Sequence, residues 1–478
     1  MREIKPKLKN KNKSKSKKST KLLVGLSCLA TATVLTFCGA FLGFDSTTGK
    51  KSDNNTYISG YNISGMNQKQ ATTYLTEQYT SKLQDLKITI NHGDKKYEYT
   101  GADFNPNTNL HTIIDSAYDR NSETAEFISN KDLIVKDGNV CVTLDYLLPT
   151  LDDKIDEIAS VIETKAQDST ITFNPDAEEK FTITDEVIGS VINREKLKND
   201  LNEQFTVSNN LNVEIEMIPA YPSVTKEDNA KLTYQIVDFT TNVADSTGNR
   251  KLNVKRALQD FNGMTIKPKE SISFNNITCP HTTANGYKIA KVIVNNKFVD
   301  GVGGGICQAS TTLYNALLRA GMQIDEVHKH SLPVHYVPLA LDAMVSGNSD
   351  LRFTNNTEYP IFIQTYATDS LVGVKVYSHS LEYEYKPTST TISEIPALPD
   401  IIKYDVDNEY SDKVLFVGEK YRLSWGQKGY EVKAYMNKYK DGKLIDTYLI
   451  RHEIYQPTAG SVIEGAKSLP TGIKPILD

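Results

Sequence analysis

Cysteine is scarce in this chain of 478 residues. Five thiols are too few to staple a disulfide scaffold, so the fold must rest on buried cores. Long apolar runs are nearly absent as well, which excludes a multi-pass membrane protein. Arginine is sparse, nine residues against 45 lysines, in a chain rich in Asn and Tyr; low-GC Gram-positive bacteria favour such a composition. At 24% charged and 39% hydrophobic residues the chain is neither a disordered tail nor a collagen-like fibre. Its length fits about two to four domains. The metal spacings Cys-x-x-Cys and His-Glu-x-x-His are missing, so neither a metal nor a cofactor is expected.

Charge is unevenly spread. Residues 1–21 carry nine lysines and Arg2 against Glu3, and the remaining 44 basic and 58 acidic residues leave the body near −14. Such a body is a poor partner for nucleic acid, whose binding rests on neutralised phosphates. Leu22 to Phe44 is 23 residues without a charge, long enough to cross a hydrocarbon layer of about 30 Å. It exceeds the apolar region of about 7 to 15 residues in a cleaved signal peptide. A single transmembrane helix over 22–44 is therefore expected, with a cytoplasmic basic tail (1–21) and the rest outside the cell, which the resemblance given below would place in the wall of a Gram-positive bacterium. Cys28 and Cys38 lie in that run, and Cys141, Cys279 and Cys307 lie beyond it. Three is odd, so at least one thiol stays free or pairs between chains.

Residues 45–55 form a polar spacer. Helical spacing over Gln68–Tyr79, alternation in Lys87–Ile90 and Tyr97–Thr100, a helix over Leu151–Lys165, strands at Ile171–Phe173 and Lys180–Thr184, and a helix over Glu195–Phe205 predict tandem helix-plus-sheet modules across 56–225. A separate domain is expected over 230–383. Pro387, Pro396 and Pro399 read as a linker over 384–400, and Asp441-Gly442 marks a hairpin in a small all-β module over 401–478. The expected fold class is α+β: a transmembrane helix, tandem small α+β modules, an α+β catalytic domain and a C-terminal β module.

The glycine-dense run Gly301-Val302-Gly303-Gly304-Gly305-Ile306-Cys307-Gln308 leads into a helix pattern in which Leu313, Ala316, Leu317 and Ala320 share a face and Gly321 supplies the stop. Cys307 falls in the first turn, where the helix dipole favours the nucleophilic thiolate. Glycines there allow close backbone approach and inward N–H groups, as an oxyanion site requires. A P-loop would need a Lys that is absent. Candidate bases follow at His328, His330 and His335, with His281 upstream; as a strand, Glu326–Ser331 would place His328 and His330 on one face. A Cys/His/His zinc site is the other chemical reading of these residues.

These residues resemble a family. Ser271-Ile-Ser-Phe-Asn275, Asn285-Gly286-Tyr287, Gly303-Gly-Gly-Ile-Cys307-Gln308-Ala-Ser-Thr-Thr-Leu-Tyr-Asn315-Ala316, and His330-Ser331-Leu332-Pro333 through Tyr336 to Asp342-Ala343 look like a VanW domain over about 240 to 380. The preceding region resembles peptidoglycan-binding modules, and the C-terminal region a G5-type wall module. Two departures stand out: Thr278-Cys279-Pro280-His281 replaces a usual Gly before Pro280 and Arg after it, and Ala340 replaces a common Gly. His281 would then carry positive charge only when protonated.

The resemblance implies an L,D-transpeptidase forming 3-3 crosslinks in peptidoglycan, with stem peptides and glycan as partners. Cys307 would be the nucleophile, His330 the base with His328 as the other candidate, and Asp342 the group that orients the imidazole. Gly304, Gly305, Ile306 and Gln308 would supply the oxyanion site, with Tyr287 and Tyr336 lining it. Two other classes stay open: a non-catalytic peptidoglycan-binding scaffold, and a cysteine peptidase acting on stem peptides.

Overall fold

The computed structural model describes residue 52 and residues 57–111, 113–114, 133–136, 139–294 and 297–468. These fall into two compact units, Met1–Glu163 with Val191–Ile218, and Thr164–Ser190 with Pro219–Asp478.

In the first unit, α1 (Gln68–Gln84) starts at a capping box in which Asn67 and Gln70 satisfy each other's backbone N–H groups. It buries Ala71, Leu75, Tyr79 and Leu83, a stripe at four-residue spacing. The hairpin β1 (Lys87–His92) and β2 (Lys95–Thr100) follows. After α2 (Leu151–Ile162) and α3 (Arg194–Val207), β3 (Asn210–Glu214) pairs in parallel with β1. That pairing closes one core over the whole unit, running from Ile58 to Ile215. The first expected module and the two helices of the second therefore share one interior, while the second module's expected strands at 171–173 and 180–184 belong to the other unit.

The second unit takes the hairpin Ile171–Phe173/Phe181–Ile183, whose Phe173 and Phe181 pack on Phe362 and Tyr377. Its central antiparallel sheet has the order β4 (Tyr234–Asn242), β12 (Leu371–Ser378), β11 (Ile361–Ala367), β5 (Met264–Ile266). A second sheet joins β6 (Ser271–Ser273), β10 (Arg352–Thr354) and β9 (Gln323–Glu326). The hairpin β7 (Ile289–Val294) and β8 (Lys297–Val302) leads into α5 (Ile306–Arg319), and α4 (Gly248–Gln259) packs beside α5. All of α5 except Cys307 and Arg319 is buried.

The stretch 384–400, expected as a linker, is largely strand. β13 (Glu384–Ile395) pairs along its length with β16 (Gly429–Lys440), which pairs with β17 (Lys443–Tyr455). Pro387 is accommodated because β13 is the edge strand of this ribbon. Asp441 and Gly442 both take positive φ, the turn that two-residue hairpins favour. Val432, Ala434, Met436 and Tyr455 of the ribbon join the same core as α5. The remaining strands, β14 (Leu398–Asp405), β15 (Lys420–Ser424) and β18 (Ala459–Gly465), form their own sheet.

Two expectations are corrected. Among the described residues strands make up 39% and helices 24%, so β-structure dominates the expected α+β balance; the long alternating strands after residue 383 account for much of it. The transmembrane helix, and the single-pass membrane location drawn from it, are not carried either. Among the described residues no helix is long and apolar enough to cross a membrane, and 22–44 lies outside them.

Candidate active site

The approach to Cys307 is built by glycine. A side-chain carbon at Gly304 would sit 2.6 Å from the Lys291 carbonyl oxygen, so the bare residue lets the turn lie against the β7–β8 hairpin. Gly305 caps α5 at φ +112°, a conformation that L side chains rarely adopt. Cys307 is then the second residue of α5, half-buried, its thiol donating to the Val345 carbonyl at 3.4 Å. The neighbouring amides are engaged: Ile306 N–H donates to Gly303 at 3.1 Å and Gln308 N–H to Gly305 at 2.8 Å. The Cys307 N–H has no partner among the described residues.

Buried polar side chains of α5 fix the opposite wall. Ser310 donates to the Ala343 carbonyl at 2.6 Å, Thr311 accepts from Ala343 N–H at 2.9 Å, and Asn315 donates to Leu341 at 2.7 Å. These bonds hold the 341–345 segment against the helix and set Asp342 in place. One oxygen of Asp342 accepts from both the backbone and Nδ1 of His330, each at 2.7 Å; the other accepts from the Tyr455 hydroxyl at 2.7 Å. Arg451 donates to the Asp342 carbonyl from β17. With Nδ1–H assigned to the carboxylate, Nε2 is left for the cavity that His330 and Cys307 line together.

Electrostatics follow from these contacts. Burial works against a charged His330, but its bond to Asp342 and the influence of the neighbouring Cys307 outweigh burial and raise it to about 9. Burial likewise opposes ionisation of Asp342, yet the bonds from His330 and Tyr455 hold its carboxyl below the usual range. Burial pushes the Tyr336 hydroxyl up, so it stays protonated and able to donate.

The other sequence candidates are distributed around this centre. Segment 327–331 is not strand, so alternation does not align its histidines. His328 turns instead to Glu326 at 2.8 Å and does not reach the cavity wall. His335 is exposed at the wall, and His281 lines it, bonded to Thr278 at 3.0 Å. Gly305, Ile306, Gln308 and Tyr336 line a cavity of about 840 Å³ that opens on Cys307 and His330. Gly304 and Tyr287 stand behind it: the Gly304 carbonyl accepts from Asn253, and Tyr287 is wholly buried with its ring edge-on to His281. Among the described residues no three His, Cys, Asp or Glu side chains converge as a metal site would need.

Three contributors escaped the sequence reading. Arg250, from α4, lines the cavity; Tyr455 and Arg451, from β17, hold Asp342. For the two arginines one signal was available: where lysine outnumbers arginine five to one, an arginine marks a place that needs a planar fork of donors.

Comparison with known proteins places residues 249–377 with the family described as "VanW like protein" and residues 97–213 with "Putative peptidoglycan binding domain". The chain is 33% identical over 199 residues to the "Uncharacterized protein YoaR" of Bacillus subtilis (strain 168), covering 41% of this chain and 64% of that protein. It is 27% identical over 164 residues to the "Vancomycin B-type resistance protein VanW" of Enterococcus faecalis (strain ATCC 700802 / V583), covering 33% of this chain and 59% of that one. The matched region thus spans less than two thirds of either relative. A solved structure titled "Crystal structure of HP0197-G5" matches 18% of this chain at 22% identity with a TM-score of 0.11, too low to bear on the fold.

Proposed function

For this VanW-family chain, with its peptidoglycan-binding region ahead of the VanW-like domain, we propose the activity of a cell-wall L,D-transpeptidase that works through a Cys307 thioester. The cell-wall setting and peptidoglycan as partner come with the family. The observation that carries the chemistry is the hydrogen-bonded series Tyr455, Asp342, His330, ending in a cavity that His330 shares with Cys307 and that is large enough for a peptide.

In this reading the Cys307 thiolate attacks the carbonyl carbon of the third residue of a tetrapeptide stem. An S–C bond forms, and the oxyanion is met by the unengaged Cys307 N–H at the start of α5. The C–N bond to the terminal D-alanine then breaks. His330, raised to about 9, holds a proton at neutral pH and passes it to the departing amine. The side-chain amine of a neighbouring stem next attacks the thioester and gives its proton to His330. A new C–N bond forms, the C–S bond breaks, and the 3-3 crosslink leaves the thiolate restored.

The test is product analysis of the full chain with disaccharide-tetrapeptide. The reading expects 3-3 dimers from the wild type and none from Cys307→Ala, with binding to sacculi kept by both. Tripeptide without dimers would point to a cysteine peptidase. Wall binding with no product at all would point to a scaffold.

A further inference from the structure

The strongest unused group at the site is Arg250. Its Nη1 is fully spent, donating to Ser246 at 2.6 Å and to the Gln308 side chain at 2.7 Å. Its Nε and Nη2 have no partner among the described residues, and these two N–H groups form the parallel edge that grips a carboxylate in bidentate fashion. Gln308 is itself pinned by Thr241 at 3.0 Å and the Asn242 carbonyl at 2.8 Å. The guanidinium carbon also lies 6.0 Å from the Tyr336 ring centroid. The fork is therefore held in one orientation beside the nucleophile.

Charge around the cavity singles out the same group. No Asp or Glu lines it. Lys291 and Lys428 do, but each is neutralised from outside, by Asp300 at 3.0 Å and Glu394 at 2.7 Å. Arg250 pairs with no carboxylate among the described residues, and burial lowers its affinity for its proton. A partly buried guanidinium without a counter-ion, in an acidic chain, is a site that awaits an anion.

We propose that Arg250 binds the terminal carboxylate of the donor peptide, making it the residue that restricts the donor to stems ending one residue beyond the attacked carbonyl. This deepens the transpeptidase reading and rests on it. Arg250 lines the same cavity as Cys307, near enough to feel its charge, and in a tetrapeptide the terminal carboxylate follows the attacked carbonyl by one residue, a spacing of roughly 3.8 Å. A pentapeptide carries its carboxylate one residue too far. A stem whose terminal carboxylate is amidated loses the charge.

The test measures binding without turnover, by calorimetry on the full-length Cys307→Ala chain. The ligands are disaccharide-tetrapeptide, the same compound with a C-terminal carboxamide, and the same compound amidated instead at the D-glutamate carboxylate. The terminal amide should bind about ten- to hundredfold more weakly, and the D-glutamate amide about as well as the parent. Adding Arg250→Gln should weaken the parent by a similar factor and leave the terminal amide unchanged. Equal affinity for parent and terminal amide, a loss confined to the D-glutamate amide, or no binding of any ligand would each overturn the assignment. The first two comparisons need no Arg250 variant, so a folding defect in Arg250→Gln does not obscure them. Failure of the transpeptidase reading shows separately, as absence of dimers from the wild type when these affinities follow the expected order.

Discussion

The Tyr455 hydroxyl donates to Oδ1 of Asp342 at 2.7 Å across 113 residues of sequence. Because His330 takes the other oxygen, both acceptors of a fully buried carboxylate are committed. The same hydroxyl accepts from Ala340 N–H at 3.0 Å, fixing the backbone just before Asp342. The ribbon that supplies Tyr455 lies beyond the VanW-like match, which ends at 377.

Tyr455→Phe leaves Oδ1 of Asp342 without its donor and Ala340 N–H without its acceptor. A loss of about 1–3 kcal/mol in unfolding free energy is expected, together with a higher pKa for Asp342, which the Tyr455 bond helps to hold low. Urea unfolding and the pH profile of product formation check the two effects.

Truncation after residue 383 should be more severe than its position suggests. It removes Tyr455, Arg451 and the apolar Val432, Ala434 and Met436 from the core shared with α5. The chain ended at residue 383 should lose the cooperative melt of its second unit, which the chain through residue 478 keeps in calorimetry. A chain ended at 383 that still melts cooperatively and is active would contradict this role for the ribbon.

His330 sets a specific pH dependence of stability. Its folded pKa is raised, to about 9 from 6.5, so the folded state holds the proton more tightly than the unfolded one. The resulting stability is full below pH 6.5 and is lost as pH rises through 9. The change is on the order of 3 kcal/mol across that window. The difference in unfolding free energy between wild type and His330→Asn, followed from pH 6 to 10, should shrink with rising pH; a difference that grows would refute the assignment.

Gly305→Ala tests how the turn and Arg250 are coupled. The new methyl would meet Cγ of Arg250 at 3.0 Å and its carbonyl oxygen at 3.1 Å, at a φ that disfavours any side chain. A cost of about 1–3 kcal/mol in stability is expected, with tetrapeptide binding weakened by more than the melting shift alone explains.

The sequence exposed the local half of this site. Glycines before a helix pattern located Cys307 on the first turn of α5, and the helices α1, α2 and α3 fell where their apolar spacing placed them. His330 and Asp342 were named as candidates, but nothing local said that they meet, because their contact depends on α5 gripping the 341–345 segment with Ser310, Thr311 and Asn315. Tyr455 was invisible for the same reason, and Arg250 was marked only by the rarity of arginine. Each acts through tertiary contacts with residues dozens of positions away, and no periodicity records that. Pro387 misled in the opposite direction: prolines usually break strands, but an edge strand tolerates one on its open side.

Intact mass spectrometry of the full chain, mixed with disaccharide-tetrapeptide and quenched in acid, tests the central claim most directly. The account expects an added mass equal to the disaccharide-tripeptide acyl group, located on Cys307 by peptide mapping and absent from Cys307→Ala. Unmodified Cys307 in folded protein that binds the ligand, under conditions where product accumulates, would contradict it.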